Sequence, residues 1–369
     1  MDTKNEVLLL VDKTTYDGWT EFTLATELQS LARSFAISAT RKKIEKFGRV
    51  LDENLAPGKE VIVFIGADKM LEGFIVSKEI KHDASSVTVS IKGSGKTVDL
   101  IDCCVPKGKK TSFKNQTHIK NISAVCSYYG IEAVDKTTEK AQSKRADFEI
   151  KKAETIGKSI VSYLQKNSIL ITDDEEGRLV ITEAGQNGDC SDALVLGKNL
   201  LSSERKIDYK NRFSEFDVIG QATNSGSTLP TTSSQLVGVA KDQTIRRLRV
   251  SRKEFSGNAD QDKVTLRAQL LMCSSIGLSD VITCKVQGWR QSNDDLWKVN
   301  TKVRVDDEVL DINDDYIISK VTYNLSSAGM TTLLECKSPD AFLYVEDEKE
   351  QSKGSGSSWS QLKKDSGNL

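Results

Sequence analysis

Short alternating apolar segments at both ends of the chain, helical spacing confined to its middle, and a motif that recurs far downstream predict a mainly β protein of the α+β class. The expected architecture is two small antiparallel β-barrel-like units, flanking and connected by a small α/β domain. A chain of 369 residues suits two or three domains at ~100–200 residues each.

The first observation rests on Val61–Ile65, a short apolar run between Pro57-Gly58 and Gly66-Ala67-Asp68, with Leu71 to Val76 as its hairpin partner. Val87, Val89 and Ile91 then alternate with Thr88 and Ser90, as a strand with one buried face requires. Thr20 to Thr26 and Phe35 to Ala39 complete a first β unit assigned to residues 1–104.

The second observation begins after Pro106. Ile119, Ile122, Cys126 and Tyr129 recur at helical spacing, with Asn115 or Thr117 as N-cap and Gly130 as the stop. Ile156, Ile160, Tyr163 and Leu164 mark a second amphipathic helix ending near Asn167. Ser168 to Thr172 and Arg178 to Thr182 form a hairpin around an acidic turn, which completes an α/β domain over 105–190. The second β unit, 191–345, takes its strands from Phe216 to Gly220, Gln235 to Val239, Val281 to Val286, Lys302 to Val305 and Ile317 to Tyr323. Within it, about 224–277, lie a Ser/Thr/Gly loop (Asn224 to Ser234) and a helix, Ala259 to Ile276, stopped at Gly277. From Glu346 the chain is acidic and then Gly/Ser-rich, and the tail 346–369 is expected to be disordered.

The third observation links the outer units. Phe74-Ile75-Val76-Ser77-Lys78 matches Tyr316-Ile317-Ile318-Ser319-Lys320, position 316 answering position 74 at an offset of 242. At that offset Ile91 falls on Leu333 and Leu100 on Phe342. Two copies of one β unit per chain would let three chains present six similar units in a ring.

Composition narrows the partners. Lys+Arg 52 against Asp+Glu 53 leaves a net charge of -1, so no global field gathers nucleic acid or anionic lipid. Val7 to Val11 is the longest early apolar run, far short of the ~20 residues that a bilayer span needs. It has no signal-peptide cleavage pattern, so no membrane insertion is expected. Seven cysteines without C-x-x-C spacing read as reduced thiols in a protein that folds in a cytoplasm.

Several motifs invite chemistry and fail its requirements. Gly93-Ser94-Gly95-Lys96-Thr97 ends like a phosphate-binding loop, but Ser90 stands where the first glycine belongs and no long helix follows. His82 and His118 are the only histidines; neither has a marked serine or cysteine partner, and both read as surface residues. Asp173 to Glu176, closed by Gly177, lacks the alternating ligands and distal glutamate of a calcium loop and reads as a solvated turn. Trp289 and Trp297 around the polar turn Arg290 to Asp295 fit a hairpin with packed aromatics better than a carbohydrate platform. Arg246, Arg247, Arg249, Arg252 and Lys253 form the one basic cluster, and Arg247 and Arg249 share a face if it is a strand. Subunit ion pairing or solvation accounts for it, and the lining of a channel is the functional alternative. No catalytic, cofactor-binding or metal-ligating residue is assigned, and the chain is not expected to be an enzyme.

Four stretches in register resemble a known family. They are Lys96 to Cys103, Leu194 to Leu201, Arg212 to Phe216 with Val218 and Gly220, and Gly288-Trp289 with Leu296-Trp297. Together they are similar to the baseplate hub proteins of Mu-like contractile-tailed phages, with a further likeness in fold to type VI secretion spikes. The resemblance runs over nearly the whole chain, lapses over Asn224 to Arg252 and fades in the tail. It implies a homotrimer forming a pseudo-six-fold ring that joins the hexameric tail tube to the trimeric central spike. Baseplate wedge and tape-measure proteins would be neighbours, and DNA would pass through the channel. It also implies a virion protein assembled in the host cytoplasm. A tail-associated peptidoglycan hydrolase is the alternative function, and a carrier of secreted effectors a third.

Overall fold

The structure, a computed structural model, describes residues 3–41, 54–84, 86–151, 153–166, 169–222 and 235–343. The loop expected at Asn224 to Ser234 and the tail 346–369 lie outside the described residues, as does Asn167. The first part comprises β1 (Val7–Val11), β2 (Thr14–Tyr16), β3 (Glu21–Glu27), β4 (Ser34–Arg41), β5 (Glu60–Ile65), β6 (Asp68–His82), β7 (Val87–Gly95) and the short α1 (Val98–Asp102). The middle holds β8 (Ser112–Thr117), α2 (His118–Cys126), β9 (Ala133–Lys136), α3 (Glu139–Ser143), β10 (Arg145–Glu149), α4 (Ile156–Lys166), β11 (Leu170–Asp173) and β12 (Leu179–Thr182). Then follow β13 (Leu194–Val195), β14 (Leu200–Ile207), β15 (Glu215–Ala222), β16 (Gln235–Lys241), β17 (Val250–Ala259), α5 (Gln261–Ser279), β18 (Asp280–Gln287), β19 (Lys302–Asp307), β20 (Ile312–Ser326) and β21 (Gly329–Lys337), closed by a 3-10 turn at Pro339–Phe342.

Thirteen strands form one sheet in the order β14-β18-β21-β20-β3-β4-β7-β6-β5-β1-β2, with β19 beside β20 and β13 beside β19. This corrects the expectation of two barrel-like units. Among the described residues no sheet closes on itself. Closure would need the first and last strands of each unit to pair with each other, whereas β3 of the first unit pairs with β20 of the second. Their inward side chains form one core, in which Phe22, Leu24, Ile37, Ile75 and Ile91 join Ile282, Trp289, Ile318, Tyr323 and Leu334.

The repeat is visible in that sheet. The first unit orders its strands β3-β4-β7-β6-β5, and the second orders its own β14-β18-β21-β20 with β19 next. Each has a 15-residue strand, β6 or β20, whose first half pairs with the preceding strand and whose second half pairs with the following one. Each long strand also carries a bulge. The ladder shifts after Ile75 opposite Gly93, and again after Ile318 opposite Cys336. These points superpose at an offset of 243, one residue more than the sequence match. The extra residue matters because an odd shift exchanges the faces of a strand. At 243, buried Ile75 and Ile91 fall on buried Ile318 and Leu334.

The middle segment packs α2 and α4 against two small sheets, around Ile122, Val125, Phe148, Ile160, Leu164 and Ile181. The parallel pairing of β9 with β12 fits the expected α/β character. Thr117 occupies the α2 N-cap in extended conformation, and Gly130 ends the following 3-10 turn at φ 68°. A further module interrupts the second unit between β14 and β18. It is a three-stranded sheet, β16-β15-β17, covered by α5 through Val264 and Ala268. The helix does not stop at Gly277 but runs through it to Ser279.

Candidate functional site

The residues that invited chemistry are mostly fastened into packing contacts. The glycine-rich Gly93 to Thr97 ends β7 and leads into a helix of only five residues. Its glycines permit backbone approach instead. A Cβ at Gly93 would sit 2.5 Å from Phe74 O, and one at Gly95 would sit 2.9 Å from an Asp173 carboxylate oxygen. Lys96 is ion-paired with Glu72, which also binds Lys69.

The acidic turn departs from the expectation of a solvated loop. Asp173 and Asp174 are buried. Arg33, in the loop after β3 and 5% exposed, donates Nε to Asp173 Oδ1 at 3.2 Å and its backbone N–H to Asp173 Oδ2 at 2.9 Å. One terminal guanidinium nitrogen reaches Asp173 O at 2.8 Å, and the other donates to Met70 O. Burial opposes the charge on Arg33, but the carboxylates of Asp173 and Glu175 outweigh it and raise its pKa. Asp174 accepts from Arg178 Nε at 2.7 Å and from the Arg178 and Glu176 backbone N–H groups. The turn is thus a bolt between the middle segment and the first β unit. A cleft of about 140 Å³ borders it, lined by Arg33, Asp173, Arg290, Asn300 and Tyr323 among others.

The two histidines divide. His82 ends β6 and is exposed, as expected. His118 is buried, against expectation, with Nδ1 2.7 Å from Tyr163 OH, which also accepts from Asn121 Nδ2 at 2.8 Å. Burial lowers the His118 pKa. Trp289 and Trp297 are buried too, so neither offers a platform to sugar. Trp289 meets Phe22 edge-on at 5.6 Å and donates Nε1 to Asn324 O at 3.1 Å, pinning the β3–β20 junction.

The basic cluster also differs from expectation. Arg247 and Arg249 lie before β17, not on a strand. Arg249 donates to Tyr209 O and Lys210 O and stacks over Phe213. Arg252 pairs with Asp217 at 2.9 Å. Arg246 and Arg247 remain exposed, beside Leu248, which is 82% exposed. No local pattern announces what most resembles a functional feature, two sheet edges that are open among the described residues. Among the described residues, β6 beyond Ile75 pairs with β7 alone, and β14 pairs with β18 alone. An edge of this kind is a template for another chain.

Relatives fit such an assembly part. Residues 6–95 match the N-terminal domain model of Mu phage baseplate assembly protein GpP-like proteins. Residues 97–183 match the second domain of gp44-like baseplate hub proteins, and residues 261–345 the fourth domain of Mu phage GpP. The baseplate hub protein gp44 of Escherichia phage Mu is 27% identical over 366 residues, which span 96% of this chain and 93% of that one. The chain is a homologue of the phage Mu baseplate hub protein. The 43 kDa tail protein of prophage MuSo2 from Shewanella oneidensis has the same fold, at TM-score 0.80 and 25% identity over 92% of this hub homologue and 99% of that chain. In fold alone, a component of the Escherichia coli type VI secretion system is similar at TM-score 0.55 and 9% identity, over 94% of this chain and 79% of that one. The hub homologue is accordingly a structural component of a Mu-like phage tail, and virion-associated.

Proposed function

We propose that this hub homologue works without catalysis, as a trimeric connector between the hexameric tail tube and the trimeric central spike. The observation that carries this reading is the repeat. Strands β3-β4-β7-β6-β5 and β14-β18-β21-β20-β19 give each chain two like units, so three chains supply six attachment faces to a six-fold tube while keeping three-fold symmetry for a spike. The three domains expected from the sequence divide this labour: two units for the ring and the α/β segment, bolted by Arg33, outside it. Assembly occurs in the host cytoplasm, where all seven cysteines stay as free thiols. The channel of the ring is the route for tape-measure protein and DNA, with wedge proteins at its periphery.

Light scattering on the full chain, alone and with the purified spike protein of the same tail, tests the reading. A trimer in either case, seen as a six-lobed annulus by electron microscopy, is expected. A monomer in both would overturn it. Clearing of peptidoglycan in a zymogram would replace the connector with the hydrolase reading.

A further inference from the structure

We propose that the cleft beside the Arg33–Asp173 bolt binds a small oxyanion, of phosphate or dicarboxylate type, which links the α/β segment to the second β unit. The site does not depend on ring formation. At about 140 Å³ the cleft has room for several waters of ~30 Å³ each, and so for an anion of this size. All three parts of the chain reach it. Met70 comes from the first unit, Lys136 and Thr182 from the middle segment, and Trp297 and Lys298 from the second unit.

One wall of the cleft is incomplete. Among the described residues, six buried side-chain nitrogen or oxygen atoms lack a hydrogen-bond partner, and of these only Trp297 Nε1 belongs to the lining. Trp297 is 2% exposed. An indole N–H can only donate, and leaving it buried and unpaired is costly. Trp289, in the same hairpin, does find an acceptor, giving its N–H to Asn324 O at 3.1 Å. What the cleft lacks at Trp297 is an acceptor.

Charge sets the sign of that acceptor. The carboxylates of the lining are already engaged: Asp173 by Arg33 at 3.2 Å, Asp174 by Arg178 at 2.7 Å and Asp68 by Arg290 at 2.7 Å. Glu175 lies 3.7 Å from the Arg33 guanidinium. Lys136 and Lys298 line the same cleft with no ion-pair partner among the described residues. They approach from two sides of one joint. Lys136 stands opposite Thr182 in the β9–β12 ladder, and Asn300, close after Lys298, donates Nδ2 to Thr182 Oγ1 at 3.1 Å. The unfilled capacity is therefore a buried N–H and two ammonium groups, which a doubly charged oxyanion completes. Asp295 opposes it, since among the described residues it accepts from Asn293 Nδ2 at 2.6 Å but meets no cation. A ligand held from both sides of the joint favours the folded chain, in which alone the site exists.

Isothermal titration calorimetry on the full chain tests the site, with inorganic phosphate in one arm and succinate in the other, at ionic strength fixed with sodium chloride. Saturable binding at a single site per chain is expected for at least one anion, and the tighter arm tells phosphate from dicarboxylate. Trp297→Phe removes the buried donor and is expected to weaken binding at least about tenfold, as losing a charge-assisted hydrogen bond does. Lys136→Gln and Lys298→Gln are each expected to weaken it about threefold, and Asp295→Asn to tighten it about threefold. Both lysines are exposed, so their variants keep the test open if Trp297→Phe does not fold. No saturable heat with either anion would overturn the site. So would binding that a folded Trp297→Phe, or both lysine variants, leave unchanged. A crystal structure grown in phosphate with water alone against Trp297 Nε1 would overturn the phosphate arm and leave succinate to decide.

Discussion

Replacing Gly277 with alanine separates reasoning from sequence and reasoning from structure, because the two give opposite signs. Gly277 lies inside α5, where alanine favours a helix by about 1 kcal/mol over glycine. Helix propensity therefore says that the variant is more stable. The packing says otherwise. A Cβ at Gly277 would lie 2.7 Å from Ala341 Cα and 2.8 Å from Asp340 C, with Ala341 N closer still. Ordinary carbon contacts begin near 3.5 Å, so helix and turn must part by about 1 Å. All three atoms belong to the backbone of the 3-10 turn, which no rotamer change can move. The same turn holds Ala341 and Phe342 against Leu28, Leu170 and Ile317, so retreat strips that cluster. Overpacking of this kind costs about 1–3 kcal/mol. Subtracting the helical gain of about 1 kcal/mol leaves Gly277→Ala less stable by up to about 2 kcal/mol. Urea unfolding, followed by circular dichroism, should show a lowered midpoint, whereas Gln269→Ala on the exposed face should move it by less than about 0.5 kcal/mol. A raised midpoint for Gly277→Ala would refute the packing argument.

Three further outcomes follow from contacts described above. Arg33→Met leaves a buried carboxylate without its partner and should destabilise by about 3–5 kcal/mol in the same unfolding assay; adding Asp173→Leu should recover part of this, the remainder being the backbone N–H of residue 33 without its acceptor. Trp289→Ala should cost about 3–5 kcal/mol by emptying the β3–β20 junction, and a loss below ~1 kcal/mol would show that the junction does not depend on it. Asp242 is held below the usual carboxylate range: burial works against this, but hydrogen bonds from Thr244 and Arg212 prevail. Its contribution to stability is therefore complete above the unfolded value of about 4 and lost as pH falls through the folded one. Stability measured from pH 5 to pH 2 should fall less steeply in Asp242→Asn than in the wild type, and parallel acid limbs would contradict the assignment.

Strands with one buried face were legible because alternation records burial directly, as in β7, where Val89 and Ile91 are fully buried. Strand β14 was not read at all. Among the described residues it has a neighbour on one side only, so Ser202, Glu204 and Lys206 stay exposed and no apolar period is written into it. The barrel expectation failed for a related reason: local pattern shows that strands exist but carries nothing about which strand of which unit lies beside another. Pairing of β3 with β20 joins residues about 300 positions apart. Asp173 misled because an acidic turn ending in glycine reads as solvent-facing until Arg33, 140 positions away, is seen to bury it. His118 belongs to the same class, since its partner Tyr163 lies on another helix, 45 positions away.

The inserted module leaves the large sheet after Ile207 and returns at Asp280, and those two residues face each other across the β14–β18 ladder. Chain departure and re-joining are therefore neighbours, fixed by backbone hydrogen bonds on the sheet side. Tension or compression running through the thirteen strands passes from β14 to β18 directly and never traverses the excursion. The module is a side-car to the large sheet: a change in the shape of its own three strands leaves the β14–β18 ladder as it is.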